Sequence, residues 1–204
     1  MKRKTLDEFT WELSSKEPIP GGGGATSLVG AISAALAKMV TSLTLGKKTY
    51  AKYEEENLRI AQEAEELRQA LLDGINEDAE AFLPLSKAYG MDKNLPEYRE
   101  VLESCLKNAA KAPADLLERL CRVIELDEKL AESGSKLAVS DAATSVSLTR
   151  GALYAALINI KVNTRLMKDR EYAKAMDRKY EAMAEEYAKR ADEVYRRIGE
   201  RLNG

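Results

Sequence analysis

The sequence contains no histidine. Histidine is the side chain whose ordinary pKa lies near neutral pH, so its absence excludes a Ser-His-Asp triad and most zinc sites. Acid–base chemistry is therefore left to carboxylates, lysine, tyrosine, cysteine or backbone amides. The sequence also lacks an EF-hand loop and paired cysteine clusters, so we expect no bound metal and no tightly bound cofactor.

Cysteine and excess positive charge are also scarce. Cys105 and Cys121 are the only cysteines in 204 residues, too few for a disulfide framework, and we expect both to be reduced. The net charge is −2, so the basic excess typical of a nucleic-acid-binding protein is missing. A Walker phosphate-binding motif is excluded because Lys48, and not Ser or Thr, follows Gly46-Lys47.

Long hydrophobic runs are missing as well. The uncharged stretch 25–37 ends at Lys38, short of the length needed to span a membrane. Near the N-terminus, Lys2-Arg3-Lys4 is followed by Asp7 and Glu8, where an export signal would have its apolar core. We therefore expect a cytoplasmic protein with no membrane partner and no nucleic-acid partner.

Helical periodicity runs through nearly the whole chain, and no useful β alternation interrupts it. Small and apolar residues at spacings of three and four predict two central helices, at about 25–45 and 139–167. Amphipathic patterns predict further helices at about 6–14, 54–88, 96–112, 113–134 and 171–201, with Pro84 kinking or shortening the one that contains it. The predicted fold is an all-α, single-domain multi-helix bundle over residues 1–204, with two central apolar helices wrapped by amphipathic ones.

A proline- and glycine-rich stretch, Pro18-Ile19-Pro20-Gly21-Gly22-Gly23-Gly24, precedes the first central helix. Its prolines favour an extended entry, and its glycines permit a helix start with no side chains in front of the first N–H groups. Such N–H groups suit a carboxylate, an amide-like ring edge or a developing negative charge. A purely structural turn is the alternative interpretation, because glycine clusters also mark turns.

Polar residues interrupt the apolar pattern at several other places. They are Lys47 and Lys48 after the first central helix, Asp78, Ser140-Asp141, and Asn159 with Asn163 four residues later. Each has a structural alternative. Asp141 could cap its helix, Asp78 could be a solvated helix charge, the asparagines could join helices, and the lysines could be ordinary C-terminal helix charges.

Taken together, these motifs resemble those of the cyclodeaminase/cyclohydrolase family, which includes the C-terminal domain of formiminotransferase-cyclodeaminase and methenyltetrahydrofolate cyclohydrolase. The motifs, in chain order, are Pro18-x-Pro20-Gly21-Gly22-Gly23, Gly46-Lys47-Lys48-x-Tyr50, Asp78-x-x-Ala81-Phe82, Ser140-Asp141 and Asn159-x-x-x-Asn163. The resemblance covers about residues 6–167. It implies an all-helical domain that self-associates as a homodimer and converts one-carbon derivatives of tetrahydrofolate.

The resemblance also implies a site. Asp78 and Asp141 are the implied catalytic residues, and we hypothesise that one or both of them shuttle a proton, with a pKa raised by burial between the central helices. The implied substrate-binding residues are Pro20, Gly21, Gly22, Gly23, Lys47, Tyr50, Ser140, Asn159 and Asn163. The glycine amides would bind the pterin or the glutamate end of the folate, and Lys47 would pair with the anionic glutamate tail.

The chain departs from the family pattern in two stretches. Gly134-Ser135-Lys136-Leu137 stands where the family has Gly-Asn-x-Asn, and Gly24 stands where it often has Ser or Ala. The implied activity is that of a formimidoyltetrahydrofolate cyclodeaminase or a methenyltetrahydrofolate cyclohydrolase, with a tetrahydrofolate derivative as substrate. The alternatives are a folate-binding relative without catalysis and a helical interaction module whose glycine turn is structural.

Overall fold

The structure, a computed structural model, describes residues 4–203, and helices form most of them. The α-helices are α1 (Leu6–Leu13), α2 (Gly22–Ser42), α3 (Glu54–Tyr89), α4 (Tyr98–Ala109), α5 (Lys111–Ser133), α6 (Val139–Thr164) and α7 (Arg170–Asn203), and a 3-10 helix covers Lys48–Tyr53. No strand occurs among these residues, so the all-α prediction is confirmed. Lys2 and Arg3, weighed above for an export signal, lie outside the described residues.

Helix boundaries differ from the predictions where glycine and proline act locally. α2 begins at Gly22, three residues earlier than predicted, because the glycines themselves adopt the first helical turn. Pro84 does not shorten α3, which continues to Tyr89. α4 and α5 are separated by Ala110 alone, and the break occurs here because Pro113 has no N–H to donate to the carbonyl four residues earlier.

α5 lies at the centre of the bundle, packed against α2, α3, α6 and α7. Its apolar side chains Leu117, Leu120, Ile124 and Leu130 are completely buried. α2 packs between α3 and α6, and α7 packs on the other side of α6. The close approach of α5 to α2 depends on Gly30, because a Cβ added there would lie 2.8 Å from Leu120 Cδ2. These four helices surround α5, which also contacts α4.

α2 and α6, predicted to be buried on most sides, each leave one apolar face open. Ile32 on α2 is 44% exposed, and Ile158 on α6 is 57% exposed. The predicted burial on several sides does not extend to this face, because apolar composition alone does not distinguish a core contact from an uncovered surface. Within residues 4–203, α2 is the one helix long and apolar enough to cross a membrane, but 56% of that window is buried. The core helix of a soluble protein can be equally long and apolar.

α2 and α6 run antiparallel, which gives their pair two distinct ends. The start of α2 lies beside Asn159, near the C-terminal end of α6. Past the other end of α2, Ser135 N–H donates a hydrogen bond of 2.8 Å to Thr44 Oγ1 just before α6 begins. Midway, Ser145 Oγ lies 3.0 Å from the Ser33 carbonyl oxygen. The first of these ends contains a cavity.

Candidate active site

A cavity of about 270 Å³ opens where the start of α2 meets α3, α5 and the end of α6. It brings together six of the residues that the family resemblance implicated, namely Gly21, Gly22, Gly23, Asp78, Asn159 and Asn163. The other lining residues are Pro18, Ile19, Phe82, Leu85, Tyr89, Ala109, Pro113 and Val162. The walls are mostly apolar, with a few convergent polar groups, as is typical of a small-molecule site.

Asp78 lies directly against the first turn of α2. Its carboxylate accepts a hydrogen bond from the Gly24 backbone N–H. This approach requires glycine at position 23, because a Cβ added there would lie 2.0 Å from Asp78 Oδ1. Gly21, the N-cap residue, makes no side-chain hydrogen bond of its own. The sequence suggested a helix start with free N–H groups. In the structure, an acid from α3 already accepts a hydrogen bond from one of them.

Burial raises the pKa of Asp78 above the ordinary value of 3.8, and the hydrogen bond from Gly24 opposes this rise only in part. None of the cavity-lining residues is basic, so no lysine or arginine of the same cavity stabilises the carboxylate. A carboxyl group in this setting can hold a proton at a higher pH than a solvated one. A cationic ligand bound beside it would stabilise its ionised form.

Asn159 and Asn163 present amide groups from α6 on the opposite wall. Asn159 Nδ2–H donates to the Ala155 carbonyl at 2.7 Å, and Asn163 Nδ2–H donates to the Asn159 carbonyl at 2.9 Å. Each amide therefore uses a donor within its own helix. Asn159 Oδ1 lies 3.6 Å from the position of a Cβ added to Gly22, so it faces the glycine turn and is an acceptor for a ligand N–H group.

The remaining implicated residues lie elsewhere in the chain. Pro20 is buried behind the first turn of α2 and does not line the cavity. Lys47 Nζ donates to Ser135 Oγ at 3.3 Å, and Tyr50 Oη accepts from Lys136 N–H at 2.8 Å. These contacts place Lys47 and Tyr50 at the end of α2 that is remote from the cavity.

Ser140 and Asp141 lie at this same remote end, in the first turn of α6. Asp141 is 18 residues before Asn159 on one helix, a separation of about 27 Å along its axis. The N-cap of α6 is Ala138, which makes no side-chain hydrogen bond, so Asp141 does not have the capping position that its sequence context allowed. Within one chain, the structure does not bring Asp78 and Asp141 together.

Several cavity residues were not singled out as site residues by the sequence. Phe82, Leu85 and Tyr89 follow Asp78 at intervals of four, three and four, so all four residues occupy one face of α3. Extending that spacing from Asp78 would have found them. Pro113 at the start of α5 carries no comparable signal, since its place in the wall depends on how α5 packs against α3 and α6.

A larger groove of about 630 Å³ lies on the outer side of α4, but it contains none of the motif residues. Its Lys107 is already paired with Asp169 at 2.7 Å and with Glu103 at 3.8 Å. The groove is therefore a charged surface in which Lys107 already has acidic partners. Among residues 4–203, no group of three His, Cys, Asp or Glu side chains is arranged to hold a metal ion.

Three comparisons with known proteins agree with this geometry. The sequence pattern of the formiminotransferase-cyclodeaminase family matches residues 5–182. A methenyltetrahydrofolate cyclohydrolase from Methylorubrum extorquens is 33% identical, and the alignment covers 98% of each chain. The crystal structure of a formiminotetrahydrofolate cyclodeaminase from Thermotoga maritima superposes with a TM-score of 0.86 at 32% identity, covering 100% of this chain and 98% of the other.

Longer relatives match through part of their length. A formimidoyltransferase-cyclodeaminase from Rattus norvegicus is 27% identical over 169 residues, which make up 81% of this chain and 31% of the rat protein. The chain therefore spans about a third of that bifunctional relative. On the strength of the family pattern and of the full-length match to the cyclohydrolase, the chain belongs to the formiminotransferase-cyclodeaminase family.

Proposed function

We propose that this protein is a folate one-carbon enzyme that acts at the carbon bridging N5 and N10 of tetrahydrofolate. The two candidate reactions are those of a methenyltetrahydrofolate cyclohydrolase and a formimidoyltetrahydrofolate cyclodeaminase, the names of its full-length relatives. The observation that carries the proposal is the buried Asp78 carboxyl group at the glycine-lined start of α2, in a cavity with amide acceptors opposite it.

Both reactions pass through the same kind of intermediate. In the cyclohydrolase reaction, water adds to the cationic methenyl carbon, loses a proton, and the bond from this carbon to N5 then breaks to leave 10-formyltetrahydrofolate. In the cyclodeaminase reaction, N10 attacks the formimidoyl carbon on N5, and ammonia leaves to give the methenyl cation. Each route needs a proton acceptor that later becomes a donor, together with a negative charge to balance an amidinium-like cation.

Asp78 is suited to both tasks. As a carboxylate, it takes the proton from the attacking water or from N10, and it then returns this proton to N5 or to the departing nitrogen. Because its pKa is raised toward neutral pH, the same group can both accept and donate a proton there. The cationic carbon in turn stabilises the ionised carboxylate, offsetting its burial. We assign Asn159, Asn163 and the glycine turn to the binding of the pterin edge.

We further propose that the protein is a homodimer in the cytoplasm. The proposed chemistry consists of proton transfers and charge stabilisation, which the chain's own residues can supply, so it requires no resident cofactor or metal. The uncovered apolar face of α2 and α6 supports self-association, because large exposed apolar patches on a monomer mark interaction sites.

An absorbance assay tests the activity, because the methenyl compound has a distinctive chromophore. Loss of this absorbance after adding methenyltetrahydrofolate would identify a cyclohydrolase, and its appearance from the formimidoyl compound would identify a cyclodeaminase. Asp78→Asn should lower kcat by roughly 10²- to 10⁴-fold, the usual contribution of a general acid–base group. Glu80→Gln, an exposed carboxylate on the same helix, is the matched control.

The Asp78→Asn variant should remain folded. Because burial raises the folded-state pKa of Asp78, ionising this group opposes folding above its unfolded pKa, so the neutral amide should keep or raise Tm at pH 7. Full activity in Asp78→Asn would contradict the assignment. Binding of both folates with turnover of neither would favour the inactive folate-binding relative, which the Ser135 and Leu137 departures suggest.

A further inference from the structure

We propose that Arg165, at the end of α6, binds the glutamate carboxylates of the folate where they leave the Asp78 cavity. This inference rests on the proposed folate activity, and it adds a specificity-determining residue to the same site. Arg165 belongs to none of the motifs that implicated the site. Its position beside the cavity, its unpaired guanidinium group and the small volume of the cavity support this role.

The cavity is too small to enclose a whole folate. Its volume of about 270 Å³ lies under the range of roughly 300–1,000 Å³ that encloses ligands of drug size. With the pterin and the reacting carbon beside Asp78, the anionic glutamate must extend through the opening. No lining residue is basic, and Lys47, which the resemblance implied for this tail, contacts Ser135 at the far end of α2. The cation that receives the tail therefore lies just outside the cavity.

Arg165 lies at the rim of the cavity. Asn163, two residues earlier, lines the cavity, and Arg165 continues the same helix as its C-cap residue with helical backbone angles. Met167, two residues later, is buried in a cluster with Leu85 and Ala109, which both line the cavity. Because the residues on both sides of Arg165 are held against the cavity wall, its own backbone is held beside that wall.

Tyr89 marks the opening next to Arg165. This tyrosine lines the cavity and is 43% exposed. Burial raises its pKa, Tyr98 adds to the rise, and the positive charge of Arg165 opposes it, so the guanidinium lies within electrostatic range of the Tyr89 ring. Six residues separate Asn159 from Arg165, about 9 Å along the helix axis. This spacing suits the p-aminobenzoyl group and amide that separate the reacting carbon of a folate from its glutamate.

The side chain of Arg165 is available to a ligand. It is exposed, and within residues 4–203 it has no ion-pair partner. An arginine at this place could instead compensate the last carbonyl groups of α6. Arg170 already does so, because its Nη1 donates to the carbonyl groups of Thr164, Arg165 and Met167 at 2.8, 3.2 and 3.1 Å. Arg170 therefore fixes the backbone of Arg165 and leaves the Arg165 guanidinium unoccupied.

A guanidinium group is well suited to a carboxylate ligand. Its planar N–H groups can donate two parallel hydrogen bonds to the two carboxylate oxygens. Because Arg165 is exposed, water and salt weaken the interaction, so we expect a modest contribution to binding. The contact is remote from the reacting carbon and is the same before and during the reaction. It should therefore lower KM and leave kcat unchanged.

A modified substrate tests this proposal together with Arg165→Ala. The probes are the methenyl or formimidoyl compound that the wild type converts, and the same compound with both glutamate carboxylates changed to amides. Arg165→Ala should raise KM for the carboxylate form by roughly 5- to 10-fold, leave kcat unchanged and leave KM for the amide form unchanged. Arg165→Lys, which keeps the charge, should recover part of the loss. Equal preference for the carboxylate form in Arg165→Ala and the wild type would overturn the assignment.

Arg59→Ala is the matched control, because it removes an exposed arginine from α3, where Arg59 lies 3.7 Å from Glu55, and should keep the wild-type preference. Calorimetric binding of tetrahydrofolate and of its diamide separates failure of this inference from failure of the proposed function. An active wild type whose preference Arg165→Ala does not change would refute the tail site and leave the folate activity standing. A wild type that prefers tetrahydrofolate through Arg165, but converts neither one-carbon compound, would refute the proposed activity and leave the tail site standing.

Discussion

At the scale of single residues, the site depends on a missing side chain. Asp78 reaches the Gly24 N–H because Gly23 has no Cβ, and the same contact keeps its carboxyl group partly buried beside the cavity. The glycine run thus serves a steric purpose at position 23. At Gly22, by contrast, an added Cβ would make only ordinary contacts with Asn159, 3.6 Å from its nearest atom.

Gly23→Ala should therefore displace Asp78. A Cβ located 2.0 Å from Asp78 Oδ1 cannot be accommodated without moving α3 or rotating the acid away, so we expect a large loss of kcat/KM. Overpacking of this kind also destabilises by about 1–3 kcal/mol, measurable by urea unfolding. Gly199→Ala on α7, where an added Cβ meets nothing within 4 Å, is the control. Unchanged activity in Gly23→Ala would show that Asp78 does not need its present position.

At the scale of helices, a buried carboxyl group joins α5, α6 and α2. Asp127 on α5 is completely buried, and its Oδ2 lies 2.7 Å from Ser145 Oγ on α6, which lies 3.0 Å from the Ser33 carbonyl oxygen on α2. Burial raises the pKa of Asp127 well above its ordinary value. A protonated Asp127 fits this chain of contacts, since its O–H can donate to Ser145 while the Ser145 O–H donates to Ser33.

The pH dependence of stability should reveal this group. Between the ordinary pKa of 3.8 and the raised folded-state pKa, the folded chain holds one more proton than the unfolded chain. The contribution of Asp127 to stability is therefore complete below pH 3.8 and is lost as pH rises, by about 1.4 kcal/mol per pH unit within that window.

Asp127→Asn removes this titration and keeps a donor toward Ser145. We expect the free energy of unfolding of the variant to increase relative to that of the wild type as pH rises. Denaturant titrations at several pH values measure this difference. Asp115→Asn, on the exposed side of the same helix, controls for the loss of one negative charge. Parallel pH profiles for Asp127→Asn and the wild type would contradict a protonated Asp127.

At the scale of the whole molecule, the bundle surrounds α5 and leaves an apolar face of α2 and α6 uncovered. If this face is covered by a second copy, folding and association are linked, because the dimer is favoured by mass action.

Tm should consequently rise with protein concentration. Sedimentation or light scattering at matched concentrations would measure the dimer fraction, which should rise over the same range. Ile158→Glu, which places a charge on this exposed face, should give a Tm that does not depend on concentration. A wild-type Tm that stays constant across a hundred-fold dilution, with monomers present, would argue against the proposed homodimer.

The local features of this protein could be predicted from its sequence. Residue spacing was enough to predict the helices, and the family motifs were enough to implicate Asp78 and Asn159, because both kinds of information lie in short stretches. The early start of α2 at Gly22 was not predicted, because glycines are weak helix formers, and Pro84 did not shorten α3. The position of Pro113 in the cavity wall was also not predicted, because it depends on how α5 packs against α3 and α6.

The amino-acid sequence by itself determined the helical class, the absence of histidine chemistry and the family to which the chain belongs. Tertiary structure alone decided which motifs meet. Asp78 and Asn159 come together because α2, α3 and α6 converge at one end, whereas Asp141 lies at the other end of a rigid helix. Order along the chain cannot reveal this division, because an antiparallel helix pair brings distant residues together and separates those that one long helix connects.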